Sequence, residues 1–84
     1  MSGFKFSDFD TARRRIDRWL TSGADFGPAG EDLFTERYTG ILIGCFHGGD
    51  TATLESLAEQ IDASTTDADV AAALADVGLL DGGE

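Results

Sequence analysis

The sequence has few of the residues that hold small proteins together through covalent bonds or metals. Its 84 residues include one cysteine, Cys45, one histidine, His47, and one proline. A lone cysteine excludes an internal disulfide framework, and a lone histidine without a second cysteine excludes the usual zinc-ligand spacings. There is also no run of about 18 apolar residues and no basic, apolar leader, so neither a membrane span nor a signal peptide is expected. We therefore expect a cytoplasmic protein with no metal or other cofactor.

Basic residues are scarce and do not occur in the second half of the chain. Six Lys and Arg residues stand against sixteen Asp and Glu residues, which gives a net charge of −10. Residues 43–84 contain nine of the acids and none of the bases. Lys and Arg supply most of the affinity for nucleic acid by neutralising phosphates, so we do not expect nucleic acid as a partner. The chain has eleven Asp and five Glu. This excess of Asp resembles the composition of proteins from salt-loving archaea, or from high-GC bacteria and their phages, although coding bias and solubility also explain it.

Apolar residues at helical spacing predict a first amphipathic helix over about residues 8–22. Its apolar face consists of Phe9, Ala12, Ile16, Trp19 and Leu20. Ser7 and Asp10 have the S-x-x-D form of a capping box. Asp10 can also pair with Arg14, and Gly23 is expected to end the helix. The arginines that fall mostly on the opposite, solvated side are Arg13, Arg14, Arg15 and Arg18.

A second helix is predicted over about residues 29–47, and this prediction has a rival. Its apolar stripe runs at spacings of three and four from Leu33 to Phe46 and ends at a pair of glycines. Residues 38–46, however, are rich in types that favour strands and include two glycines, which disfavour helices. We favour the helix and keep the strand as the alternative. Glycines at 40, 44 and 48 would then line one side of the helix, which predicts a tight packing seam rather than a binding groove.

Two shorter helices are predicted in the acidic half. Asp50 or Thr51 can cap a third helix, which is expected to end near Asp62. A Ser/Thr-rich turn over residues 63–66 can cap a fourth helix that closes at Gly78. The two leucines that follow Gly78 are expected to fold back as an apolar anchor. The predicted fold class is therefore all-α, a small bundle of about four helices.

Three parts of the acidic half carry a resemblance to a known family. They are the Thr53-Leu54 start of the third helix, the Leu74 face of the fourth, and the exit at Gly78-Leu79-Leu80. Over about residues 38–81 this order resembles the helix-turn-helix core of winged-helix domains. We accordingly expect one small helical domain over residues 1–84, with its last three helices arranged like that core.

The resemblance implies DNA binding, and the sequence departs from what that function needs. In the family the last helix enters the major groove and reads bases with Arg, Lys, Asn or Gln. This chain offers threonine, alanine and aspartate in the corresponding stretch. It also ends where the β-wing would form, and the turn position usually given to glycine holds Asp62 or Ala63. A wingless helix-turn-helix transcriptional regulator is therefore the alternative function.

No set of residues has the spacing of a catalytic site. Cys45 and His47 lie roughly 200° apart around a helix and would share a face only in a strand. The Gly48-Gly49 turn lacks the lysine and the length of a phosphate-binding loop. We therefore predict that the protein is not an enzyme and has no small-molecule substrate.

The sequence predicts a non-enzymatic protein–protein interaction module: a small acidic subunit, adaptor or regulator, for which encoding by a virus or mobile element is one interpretation. Its partner is expected to be another protein or a second copy. A domain of this size cannot readily bury all its aromatic side chains, so some of them are expected to contact the partner. The basic face of the first helix would attract acidic groups of a partner. The same arginines also fit a plain solvated face neutralised by neighbouring acids. The predicted contact residues are Arg14, Arg18, Trp19, Phe26 and Phe34.

Overall fold

The computed structural model describes residues 6–27, 30–49 and 51–80, and these residues form four α-helices and one short 3-10 helix. The α-helices are α1 (Asp10–Thr21), α2 (Gly30–Phe46), α3 (Ala52–Gln60) and α4 (Asp67–Asp76). The 3-10 helix, Phe6–Phe9, immediately precedes α1. The predicted all-α bundle of about four helices is confirmed. The helix predicted over residues 38–46, in preference to a strand, is also confirmed.

Glycines end α2 and α4 in the same way. Gly48 and Gly78 have φ angles of 78° and 85°, in a region that favours glycine. After α4, the Leu79 amide donates to the Leu74 carbonyl at 2.9 Å, and the Gly78 amide donates to the Ala75 carbonyl at 3.0 Å. This pattern turns the chain back, so the Leu79 side chain lies in the core. The apolar anchor predicted after Gly78 is therefore confirmed for Leu79.

The start of α1 differs from the predicted capping box. The helix begins at Asp10 with Phe9 as its N-cap residue, and no side chain caps it. The 3-10 helix takes the place of the first predicted turn, and it delivers Phe9 to a fully buried position. The prediction of a Ser7–Asp10 capping box is therefore wrong, because burial of Phe9 fixes this end of the helix. Asp10 does pair with Arg14 as predicted, with 2.9 Å between Oδ2 and Nε.

The core lies between α1, α3 and α4, and the 3-10 helix packs against α1 and α3. The core side chains, each at most 3% exposed, are Phe9, Ala12, Ile16, Trp19, Phe34, Leu54, Leu57, Ile61, Val70, Ala73, Leu74 and Leu79. Phe34 is the one described residue of α2 in this set. Its ring centroid lies 5.8 Å from that of Trp19 and 5.4 Å from that of Phe26. Phe34 is therefore the most deeply buried described residue of α2, and Tyr38, Ile41, Leu42 and Cys45 pack against the core beside it.

The glycines of α2 do not form the predicted packing seam. A Cβ atom added to Gly40 or Gly44 would meet nothing beyond its own helix within 4 Å, so no other element packs closely there. The contact that Gly44 makes is local instead. The Gly49 amide donates to the Gly44 carbonyl at 2.7 Å, and a Cβ on Gly49 would lie 2.6 Å from that oxygen. The seam prediction is therefore wrong, and Gly44 and Gly49 shape the end of α2.

Tyr38 on α2 has a buried hydroxyl with no hydrogen-bond partner among the described residues. Its ring stacks on Phe34, with 5.5 Å between the centroids. Burial, together with the nearby Asp17 carboxylate, raises the pKa of this hydroxyl, so it stays neutral. An unpaired buried hydroxyl costs about 1–3 kcal/mol, so we expect Tyr38→Phe to raise the free energy of unfolding by about 1 kcal/mol. Urea denaturation measures this change, and a loss of stability would show that the hydroxyl has a partner.

Candidate interaction surfaces

Three of the five predicted contact residues form an internal aromatic cluster. Trp19 and Phe34 are 3% and 2% exposed, and Phe26 is half-buried beside them. The Trp19 ring meets the other two edge to face, at centroid distances of 5.3 Å to Phe26 and 5.8 Å to Phe34. Such geometry lets a small domain bury several rings together. Trp19 and Phe34 thus offer no surface to a partner, and the contact surface predicted from them is corrected.

The arginines of α1 are divided between the surface and the interior. Arg14 and Arg18, both predicted as contact residues, are exposed. Arg15, predicted on the same solvated face, is 4% exposed and reaches the start of α4. Its Nε donates to the Thr65 carbonyl at 2.7 Å, and its Nη2 donates to the Asp67 carboxylate at 2.5 Å. Arg15 therefore ties α1 to the acidic half of the chain.

The helical register contains a signal for the burial of Arg15 that the sequence prediction missed. Arg15 lies three residues after Ala12 and four before Trp19, both of which are in the core. On a helix these spacings place it at the edge of the apolar stripe rather than opposite it. An arginine at such an edge can bury its stem and still reach a polar partner.

A cavity of about 310 Å³ opens beside these arginines. It is lined by Thr11, Arg14, Arg15 and Arg18 of α1 and by Ala63 of the loop between α3 and α4, and we call it the arginine pocket. The four α1 residues follow each other at spacings that share one strip of a helix. Three of the six basic residues of the chain therefore line one cavity, and no acidic residue is among the described residues that line it.

The loop on the other side of the arginine pocket is held by Asp62. Its carboxylate accepts hydrogen bonds from the Ser64 hydroxyl at 2.7 Å, the Ser64 amide at 2.8 Å and the Thr65 hydroxyl at 3.3 Å. These bonds, led by the Ser64 hydroxyl, lower the pKa of Asp62. The Thr66 hydroxyl then accepts from the Asp69 amide at 3.2 Å, so the predicted capping of the fourth helix by Ser or Thr is confirmed. The loop is thereby fixed by local hydrogen bonds.

The outer side of the C-terminal half of α2 is exposed and apolar. Ile43 and Phe46 are 52% and 71% exposed, and Thr39 is exposed one turn before Ile43. The spacing of four and then three residues places these side chains on one side of the helix. Residues 38–49 contain no Asp, Glu, Lys or Arg. We call Thr39, Ile43 and Phe46 the α2 outer face, and it is an uncharged surface on a strongly acidic molecule.

The acidic half presents the opposite chemistry. Exposed carboxylates on α4 belong to Asp67, Asp69 and Asp76. An open cleft beside the α3–α4 loop is lined by Asp62, Asp69 and Asp76, among others. These carboxylates would repel phosphates if α4 entered a DNA groove. The helix-turn-helix resemblance itself stays a prediction from the sequence.

Three further observations concern the other classes of function. Cys45 is half-buried and His47 exposed next to the end of α2, so they do not share the face that a strand would give them. Within residues 6–27, 30–49 and 51–80, no group of three His, Cys, Asp or Glu side chains is placed to hold a metal ion. In the same ranges no helix has the length and apolar character to cross a membrane.

Comparison with protein-family models, with curated proteins and with solved structures gives no match.

Proposed function

We propose that the protein is a non-enzymatic protein–protein interaction module and that its α2 outer face binds a second copy of the chain. The observation that carries this proposal is the exposure of Ile43 and Phe46, 52% and 71%, on an uncharged segment. Removing apolar surface from water contributes about 25 cal/mol per Å². Covering these two side chains therefore favours association.

Charge supports a second copy as the partner on this face. Two molecules with a net charge of −10 repel each other wherever carboxylates meet carboxylates. The three side chains of the α2 outer face are uncharged, and the nearest acid on the same side of the helix, Glu36, lies one turn before Thr39. A two-fold axis makes a contact through this face self-complementary, because both copies contribute the same residues.

The association is expected to be weak and reversible. The α2 outer face extends over about two turns of one helix, from Thr39 to Phe46. Contacts that bury less than about 1,200 Å² belong to transient complexes. Such a surface suits a subunit or regulator that associates and dissociates as its own concentration changes.

Sedimentation equilibrium over a concentration series tests the proposal. We expect the average mass of the wild type to rise from monomer towards dimer, and Phe46→Ser to remain monomeric over the same range. Because Phe46 is exposed, the variant should keep the helical circular dichroism of the wild type. Ala72→Ser places the same new residue at an exposed position of α4 and should associate like the wild type.

Added salt distinguishes this contact from head-to-tail pairing between the α1 arginines and the acidic half of a neighbour. The screening length falls from about 30 Å at 0.01 M to about 3 Å at 1 M salt. An apolar contact between two acidic molecules should therefore strengthen with NaCl, whereas a contact between opposite charges should weaken. A monomer at every concentration, or a dimer that salt dissociates and Phe46→Ser leaves intact, would contradict the proposal.

No observation favours the DNA-binding alternative, since the exposed side of α4 carries carboxylates. The cytoplasmic location and the absence of enzymatic activity stay predictions from the sequence. They are consistent with a module that acts through a contact surface, and the experiments above do not depend on them.

A further inference from the structure

We propose that the arginine pocket binds the phosphate group of a phosphate monoester. The pocket lies on α1 and the α3–α4 loop, whereas the α2 outer face lies on another helix. The proposed ligand is a small anion rather than a protein. This inference therefore goes beyond self-association and does not depend on it.

Arg15 provides a fixed positive charge in the pocket. Its side chain is 3% exposed, and its bonds to the Thr65 carbonyl and the Asp67 carboxylate hold the guanidinium in place. The remaining nitrogen, Nη1, is buried and has no acceptor among the described residues. A buried charged donor without an acceptor is costly, and an anion beside it offsets that cost. Arg15 is thus oriented before any ligand arrives, and both N–H donors of its Nη1 remain to be satisfied.

Arg14 and Arg18 provide accessible charge in the same pocket. Arg18 is exposed and forms no ion pair with any described residue. Arg14 is 77% exposed in its side chain and pairs through Nε with Asp10, which also pairs with Arg13. Among the described residues, the carboxylates that contact the three pocket arginines are those of Asp10 and Asp67. Three guanidinium groups against two carboxylates leave the pocket positive within an acidic protein.

The number of donors favours a phosphate monoester over other anions. Three guanidinium groups and the Thr11 hydroxyl can supply more hydrogen bonds than the two oxygens of one carboxylate readily accept. A monoester offers three free oxygens and a charge of about −1.5 to −2 at neutral pH. A phosphodiester has two free oxygens, and as part of a nucleic acid it would bring further phosphates towards the acidic half.

An NMR titration of the 15N-labelled protein tests this site, with inorganic phosphate and methyl phosphate as probes and the ionic strength held constant with NaCl. We expect saturable shifts of the amides at residues 11, 14, 15, 18 and 63. Arg18→Gln should weaken binding by about tenfold, as loss of one charged hydrogen bond predicts. Arg37→Gln removes one arginine from α2, where its Nη1 donates to the Gly78 carbonyl at 3.2 Å, and should leave the affinity unchanged.

Dimethyl phosphate and acetate complete the experiment. We expect neither dimethyl phosphate nor acetate to give saturable shifts at the concentrations where inorganic phosphate and methyl phosphate do. An equal response to all four compounds would reveal a general anion surface and overturn the proposal. So would binding of inorganic phosphate without methyl phosphate, shifts confined to other parts of the protein, or an affinity that Arg18→Gln does not change.

Discussion

Replacing Phe34 by alanine is expected to lower the free energy of unfolding by about 3–5 kcal/mol. That is a large part of the about 5–15 kcal/mol that stabilises a typical domain. Phe34 is 2% exposed and contacts the rings of Trp19, Phe26 and Tyr38. Alanine would leave a cavity in this aromatic cluster and remove the one fully buried side chain among the described residues of α2. Urea denaturation followed by circular dichroism measures the loss.

Phe46→Ala is the matched control, because it makes the same change on the same helix. Phe46 is 71% exposed, so the free energy of unfolding should fall by much less than in Phe34→Ala, by at most about 1 kcal/mol. The fluorescence of Trp19, the single tryptophan of the chain, reports on the cluster directly. Its emission should shift towards that of unfolded protein in Phe34→Ala and stay unchanged in Phe46→Ala. Equal losses in both variants would contradict the assignment of one phenylalanine to the core and the other to the surface.

Arg15→Ala is expected to lower the free energy of unfolding by about 2–3 kcal/mol. The change removes both bonds from α1 to the start of α4 and leaves the Thr65 carbonyl without its Arg15 donor. The loss should fall below the roughly 3–5 kcal/mol of a fully buried pair, because Asp67 is 61% exposed and water can solvate its charge. Thermal and urea denaturation both measure it.

Arg14→Ala is the control for this prediction. The Arg14–Asp10 pair is exposed, and such pairs contribute about 0–1 kcal/mol. Arg15→Lys keeps the charge but loses the planar fork that reaches two acceptors, so its stability should lie between wild type and Arg15→Ala. If Arg14→Ala cost as much as Arg15→Ala, the distinction between an exposed and a buried arginine on α1 would be wrong.

The helices could be predicted from the sequence because the signals that place them are local. Thr66 caps α4 through a residue three positions away, and Gly78 ends it through neighbouring carbonyls. These capping interactions join residues within about one helical turn, so they can be predicted without the rest of the fold. The capping box at Ser7 failed for the opposite reason. What fixes that end of α1 is the burial of Phe9, which depends on α3 as well as α1.

The interaction surfaces were harder to predict because they depend on which elements face each other. Phe34 and Phe46 belong to one predicted apolar stripe, yet one is buried and the other exposed. When a helix is apolar on most of its surface, as α2 is from Tyr38 to Phe46, periodicity does not say which side the core covers. The burial of Arg15 was hard to predict for the same reason, because its partners Thr65 and Asp67 lie about fifty residues further along the chain.

Hydrogen–deuterium exchange at low and high protein concentration tests the central claim most directly, that the protein acts through the α2 outer face. Association that covers this face should slow local opening and so slow exchange of the amides near it. We predict added protection over residues 39–47 at high concentration in concentrated NaCl, with no added protection in α1 or α4, and none anywhere in Phe46→Ser. Concentration-dependent protection in α1 and α4 instead, or no change over residues 39–47 in the wild type, would contradict this claim.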